Sequence, residues 1–337
     1  MRENNNGSLQ QTEIKPPTIE RDNRRVAIVA FTDLDGTAND ETVEEAHRLK
    51  TIEPAKKAIS ILESSGIPVG IITGRSFGEA IFYQNALGNH GPIICEDGAV
   101  VVLPPRFDEH QHLSLANFID TNKIVKHRQR ISFVLSQINT SNILELLQEA
   151  QKERAHSSTS QTKPILSTLT SSAEEIREAI GHSTTLEARL SGDRLASAYI
   201  VQASEDQLGT IKKLSDRFGI RTFGSPLHLI GKDADKGLAL KMLNEHSNIF
   251  FTSEVKPVNG IAPIIFGNNS NDLRLAEEVE KLRGLFVIVG RPGGGFFVSE
   301  KDIPPSAIKA TKPFGEGMLE AIPQIRNFFK NSFGVAI

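Results

Sequence analysis

Five short stretches constrain the fold of this chain most: RVAIVAFTD (25–33), IPVGIITGR (67–75), PIICEDGA (92–99), APIIFGNNSND (262–272) and LFVIVGRPGG (285–294). Each is apolar without alternation and then breaks into glycine or polar residues. A strand with one wet face alternates with period two, so continuous apolarity fits strands buried on both faces, as in a parallel sheet. Helical patterns lie between them. ETVEEAHRLK and EPAKKAISILESSG precede the second run and FGEAIFYQNALG follows it, while DADKGLALKMLNEH precedes the fourth and NDLRLAEEVEKLRG follows it. Strand and helix in alternation predict an α/β fold with a doubly wound parallel sheet, whose ligands bind beyond the carboxyl ends of the strands. The polar motifs fall at that edge.

At 337 residues two domains are expected. Between about Leu103 and Ser225 the alternation loosens into shorter elements, with ISFVLSQ and ASAYIVQA as strands and NILELLQEAQKER, AEEIREAIG and EDQLGTIKKLSDRFG as helices. This reads as an inserted α+β domain over 104–225, carrying a flexible Ser/Thr-rich loop near 156–164, within a core of 25–103 plus 226–337. Residues 1–24 read as a disordered polar tail without a signal-peptide pattern.

With 38 basic and 41 acidic residues the net charge is −3, which argues against a nucleic-acid or membrane-surface binder and for a small soluble ligand. The single cysteine, Cys95, rules out an internal disulfide framework and a cysteine-rich zinc site, and it fits a reducing compartment. No run approaches the roughly 20 apolar residues of a membrane span, so a cytoplasmic protein is expected. The oligomeric state is left open.

In FTDLDGT, Asp33 and Asp35 stand two residues apart where a buried strand gives out. Acids commonly end strands and open turns, but these have company. Thr73 ends the second run, Lys236 opens a helix in DADKG, and GNNSND at 267–272 ends the fourth. Phosphoryl transfer needs such a set. One carboxylate attacks phosphorus, and a second on the same strand face protonates the leaving oxygen and then activates water. A hydroxyl and an ammonium hold the phosphoryl oxygens, and an oxygen-ligated Mg²⁺ offsets the repulsion between carboxylate and phosphate.

In that order, DLDGT, the Thr of ITGR, the Lys of DKG and GNNSND resemble the haloacid dehalogenase superfamily of aspartate-nucleophile phosphatases, and the insertion is similar to its C2-type cap. The resemblance implies Asp33 as nucleophile, Asp35 as general acid/base, and Thr73, Gly74 and Lys236 as phosphate ligands. It further implies Mg²⁺ held by Asp33, Asp35 through its backbone carbonyl, Asn268 and Asp272, with Arg75 and His228 as substrate contacts. FYQNALG, EDGAVVVL, GRPGGG and KPFGEGMLEAI are similar to the mannosyl-3-phosphoglycerate phosphatase-like branch over 26–103 and 226–325.

Three departures from that pattern stand out. Asn268 stands where the family has its first acid, beside Asn269 for Ser, so the resemblance implies weaker Mg²⁺ binding. Asp97 replaces the Asn of ENGA. Asp193 to Ala198 replace an Arg-Glu-aromatic-Ser-Glu-Pro segment that helps to recognise substrate in the family, which leaves only a phosphorylated sugar or organic phosphate as the expected substrate. An attenuated relative that binds a phosphorylated metabolite or a partner protein is the rival reading, and a phosphomutase or phosphotransferase is a third.

Four other signals are set aside. GRPGGG at 290–295 reads as a turn, and GSPLHLIGKD misses the P-loop spacing. FDEHQH, with Asp108, Glu109, His110 and His112, reads as a solvated loop rather than a metal site, and KIVKHRQR (123–130) as a solvated connection.

Overall fold

The computed structural model describes residues 16–21, 23–102, 124–127, 130–134, 145, 146, 149, 165–167, 187–188, 196–202, 205–223, 227–247 and 258–337. In chain order the first half holds β1 (Thr18–Arg21), β2 (Arg24–Thr32), α1 (Glu45–Arg48), α2 (Glu53–Ser64), β3 (Val69–Ile72), α3 (Phe77–Leu87), β4 (Ile93–Cys95), β5 (Val100–Val102), β6 (Ile124–His127), β7 (Arg130–Val134) and β8 (Ile165–Ser167). There follow β9 (Glu187–Ala188), β10 (Ala198–Gln202), α4 (Glu205–Ser215), β11 (Ile220–Phe223), β12 (Leu227–Gly231), α5 (Lys236–Glu245), β13 (Ile261–Gly267), α6 (Ser270–Lys281), β14 (Leu285–Gly290), β15 (Ile308–Pro313) and α7 (Phe314–Phe333).

The main sheet runs β15-β14-β13-β2-β3-β4-β5-β7-β6. It is parallel from β15 to β4 and antiparallel beyond. The continuous apolarity of β2 has the expected cause. Val26, Ile28 and Ala30 face one apolar layer, with Ala55, Ile59 and Leu62 of α2 and Met318 and Ile325 of α7. Ala27, Val29 and Phe31 face the other, with Leu240 and Leu243 of α5 and Leu275 and Val279 of α6. Alternate residues of an extended strand point to opposite faces, so both faces must be apolar when helices cover both.

From β2 the chain steps to β3 and β4 on one side and later returns to β13, β14 and β15 on the other. The carboxyl end of β2 therefore lies at the point where the strand order reverses, the place at which open α/β sheets bind ligands.

A second sheet has the order β11-β12-β10-β8-β9. It includes β12, which lies beyond residue 225, while β6 and β7, read as part of the insertion, join the main sheet. Within the stretch expected to be a tail, β1 is ordered. It pairs antiparallel with β2 from Thr18 opposite Ala27 to Arg21 opposite Arg24, and Ile19 is buried. Its sequence, TIER, is too short and polar to signal a strand. Residues 1–15, the stretch near 156–164 expected to be a loop, AEEIREAIG, expected to be a helix, and FDEHQH lie outside the described residues. Among those described, no helix is long and apolar enough to cross a membrane.

Candidate active site

Asp33 follows β2 directly, and its peptide N–H donates to the carbonyl of Phe266 on β13 at 3.0 Å. The side chain is buried. Lys236 opens α5, where Asp235 caps the helix by accepting the N–H of Gly237. The Lys236 Nζ lies 3.4 Å from Asp33 Oδ1 and 2.9 Å from Asp272 Oδ1. Asp272, in the first turn of α6, turns its Oδ2 to the N–H groups of Asn268 (3.1 Å) and Asn269 (3.3 Å).

Two buried carboxylates thus share one ammonium, and the electrostatics follow. Burial, with repulsion from Asp272 and Asp35, pushes the Asp33 carboxyl well above its ordinary value, although Lys236 pulls the other way. Burial opposes the charge on Lys236, but attraction to Asp272 and Asp33 outweighs it and holds the lysine as an ammonium.

Asp35 belongs to a different cluster. The Arg75 guanidinium grips it through Nε to Oδ2 and Nη2 to Oδ1, both at 2.7 Å, and Arg48 Nη1 adds a contact to Oδ1 at 3.1 Å. Arg75 is itself fixed by Glu79 at 3.0 Å and by the face of Tyr83, 5.0 Å away. Glu79 also closes a capping box with Ser76 at the start of α3. Burial would raise the Asp35 carboxyl, but the bonds and charge of Arg75 and the charge of Arg48 more than offset it, so the group is held below the ordinary carboxylate range.

A lowered carboxyl stabilises the fold above its unfolded pKa and loses that contribution as pH falls through the folded one. Arg75→Met is therefore expected to cost about 1–3 kcal/mol at pH 7, with the deficit shrinking below about pH 4. Urea titration of both proteins at the two pH values checks this.

Thr73 ends β3, buried, with its N–H on the carbonyl of Ile94 at 2.8 Å and its hydroxyl accepting the N–H of Arg75 at 3.2 Å. Gly74 follows, covered by the carboxylate of Asp97, which a Cβ on Gly74 would meet at 2.8 Å. His228 of β12 places Nδ1 at 3.2 Å from Asp97 Oδ2, so its partner in the core is Asp97.

Asn268 is buried and its Oδ1 accepts from Asn269 Nδ2 at 3.0 Å. Its own Nδ2 packs against the loop after Asp35 so closely that a Cβ on Gly36 would lie 1.9 Å away. Gly36 has φ +73°, a backbone that glycine adopts most readily, and here no side chain fits either.

The structure thus groups Asp33 with Lys236 and Asp272, Asp35 with Arg75, and His228 with Asp97, all on the carboxyl side of β2, β3, β4 and β13. Two contributors escaped the motif reading. Arg48 sits in a stretch read as one helix, of which Glu45–Arg48 alone is helical. Glu96, buried, accepts the N–H groups of Ala196 (2.9 Å) and Ser197 (2.8 Å) and the Ser197 hydroxyl (2.8 Å). No sequence pattern marks either contact. Beyond β14, GRPGGG is a turn, with Arg291 N–H on the carbonyl of Gly295 at 3.0 Å.

The oxygen donors that a hard cation could use here are the Asp33 carboxylate, the Asp35 carbonyl and the Asn268 amide. Asp272, whose oxygens accept from Lys236 and from the α6 cap, keeps further lone pairs and belongs to the same donor set. Among the described residues no three Asp, Glu, His or Cys side chains converge as a metal-binding group.

Comparison with known proteins bears on the family and the fold. A glucosyl-3-phosphoglycerate/mannosyl-3-phosphoglycerate phosphatase of Methanococcoides burtonii is 24% identical over 276 residues, 80% of this chain and 86% of the relative. The fold is similar to that of a haloacid dehalogenase-like hydrolase from Bacteroides thetaiotaomicron, with a TM-score of 0.54 and 19% identity over 88% of this chain and 99% of the other. It is also similar to a Thermoplasma acidophilum protein, with a TM-score of 0.53 and 16% identity over 89% and 98% of the two chains. The model of the haloacid dehalogenase-like hydrolase family matches residues 30–282. The chain belongs to the haloacid dehalogenase-like hydrolase family.

Proposed function

We propose that the chain is a phosphatase of small phosphorylated metabolites that works through a phospho-aspartyl intermediate on Asp33. The observation that carries this reading is the burial of Asp33 at the strand-order reversal, 3.4 Å from the ammonium of Lys236. A carboxylate so placed has a reason to be costly: as the nucleophile it gives up its charge to the phosphoryl and leaving oxygens when it reacts. The relative from Methanococcoides, named as a phosphatase, points the same way.

In the first half-reaction an Asp33 oxygen bonds to phosphorus, the bond to the ester oxygen breaks, and Asp35 delivers a proton to the departing alcohol. Water then attacks the phosphorus, Asp35 takes its proton, and the bond to Asp33 breaks to release phosphate. Arg75 and Arg48 favour the ionised form of Asp35, which the second half requires, and for the first half Asp35 takes up a proton from solvent before it delivers one. Thr73, Gly74 and Lys236 hold the phosphoryl oxygens, with Arg75 as the residue that positions Asp35. We assign the second sheet, with β12, to the cap over this site.

The oxygen-only donor set of Asp33, the Asp35 carbonyl, Asn268 and Asp272 suits Mg²⁺, which when bound neutralises charge on the transferring group. With an amide at Asn268 where the family has a carboxylate, affinity is lowered. Asn268→Asp is expected to tighten Mg²⁺ binding by about tenfold or more, read by titration calorimetry. No change in affinity would remove Asn268 from the metal shell.

Asn268 also favours the second reading, an attenuated family member that binds a phosphorylated metabolite or partner. The deciding experiment is phosphate release from a panel of sugar phosphates, phosphoglycosyl acids and an aryl phosphate, with and without Mg²⁺. Release that depends on Mg²⁺ and on Asp33 supports the phosphatase. Silence across the panel from folded protein transfers the case to the binding reading, and transfer to an added acceptor alcohol in place of water marks a phosphotransferase.

A further inference from the structure

Asp97 is the acid that the proposed reaction does not use, and the backbone goes to some trouble to place it. Glu96, Asp97 and Gly98 have φ of +51°, +56° and +92°, three left-handed residues in succession. Two of them carry side chains, for which this region is uncommon and costs free energy.

Contacts on every side hold the turn. The N–H of Glu96 donates to the carbonyl of Arg75 at 2.9 Å and that of Asp97 to the carbonyl of Thr73 at 3.1 Å. A Cβ on Gly98 would stand 2.2 Å from the carbonyl of Asp235, so the turn lies directly against the entry to α5. Glu96 fastens the turn to Ala196 and Ser197 on the second-sheet side.

The product of this arrangement is one carboxylate, 7% exposed, lying over Gly74. Its Oδ1 and Oδ2 are 2.8 and 3.0 Å from where a Gly74 Cβ would be, and Oδ2 is 3.2 Å from His228 Nδ1. Lys236 feels its charge. A negative group beside residues assigned to hold a phosphate is unfavourable in itself. It becomes useful when the ligand presents a donor there, because an ionised carboxylate only accepts hydrogen bonds and has room for several.

We propose that Asp97, oriented by His228, is a specificity residue that accepts a hydrogen bond from a hydroxyl next to the phosphorylated carbon, so that the substrates are phosphomonoesters of vicinal polyols. This rests on the phosphatase reading of the same site. A phosphate on a bare alkyl chain adds no donor to offset the repulsion between this carboxylate and the phosphate, and binds more weakly for that reason.

The test compares glycerol 3-phosphate with propyl phosphate, which differ in the hydroxyls. Binding is measured by calorimetry on the Asp33→Asn protein, which does not depend on turnover. A hydrogen bond to a charged acceptor predicts about a tenfold to hundredfold preference for the hydroxylated ligand. In the Asp33→Asn background, Asp97→Gly keeps the left-handed backbone while removing the acceptor and is expected to bring the ratio close to one. Asp97→Asn, which also tolerates this backbone, gives an intermediate ratio, and His228→Ala lowers it in the same direction. Equal affinities in the Asp33→Asn protein with Asp97 intact, no affinity for either ligand, or a preference that survives Asp97→Gly overturns the inference. Hydrolysis of glycerol 3-phosphate by the natural chain, compared with the Asp33→Asn protein, separately reports on the phosphatase reading.

Discussion

Asp33→Asn is expected to abolish phosphate release, by about 10⁴-fold or more as for other lost nucleophiles, and at the same time to make the protein more stable. The second half of that expectation comes from the charge arrangement. Asp33 and Asp272 share Lys236, and Asp35, already satisfied by Arg75, repels Asp33 from two residues away. Neutralising Asp33 leaves a one-to-one pair between Lys236 and Asp272 at 2.9 Å, and removes the buried charge with the least compensation. A gain of about 1 kcal/mol is expected, or about 2–4 °C in Tm. A carboxyl held above its unfolded pKa costs stability as pH rises through that range, so the gain appears at neutral pH and fades on acidification. Calorimetric melts of both proteins at pH 7 and pH 4 check this, beside the phosphate assay. Undiminished turnover would remove Asp33 from the reaction, and a lower Tm at pH 7 would show that the pair with Lys236 outweighs the repulsion.

Lys236→Met has the opposite sign. It leaves Asp33 and Asp272 buried with no cation between them, and removing one partner of a buried ion pair costs about 3–5 kcal/mol. Phosphate release should vanish with it. The loss is expected to ease as pH falls, because the Asp33 carboxyl, already raised by burial and now without the pull of Lys236, moves further upward and takes up a proton. The double variant Lys236→Met with Asp272→Asn should recover much of the stability but none of the activity. Denaturant midpoints for the single and double variants decide the matter, and a single variant as stable as the natural chain would mean that the ammonium is not what balances this cluster.

How much of this was legible depends on the kind of signal. The five interior strands announce themselves because burial on both faces demands unbroken apolarity, and Asp33, Thr73, Lys236 and Asp272 are legible because each sits at a strand end or helix start that the same pattern locates. β15 was not read, since IKATKP is an edge strand with its burial confined largely to Ala310. β1 is four residues long and owes its order to pairing with β2. Arg48 and Glu96 act across the fold, Arg48 on Asp35 and Glu96 on Ala196 and Ser197, and such pairings are set by tertiary geometry that spacing does not encode. The ionisation of Asp35 is of the same kind. Its position in DLDGT says that an acid is present, while its charge is decided by a guanidinium forty residues away in sequence.

The two apolar layers on either side of β2 have a consequence for how the chain finds its register. A strand with one wet face resists slipping by a residue, because the slip would turn its apolar set outward. β2 has no wet face, so a slip would exchange Val26, Ile28 and Ala30 with Ala27, Val29 and Phe31 at little hydrophobic cost. What forbids it stands at the end of the strand. Sliding β2 inward would draw Asp33 into hydrocarbon away from Lys236 and break its N–H bond to Phe266, while sliding it outward would separate Gly36 from Asn268. The acids that make the site also act as the stop that tells the central strand where to halt during folding.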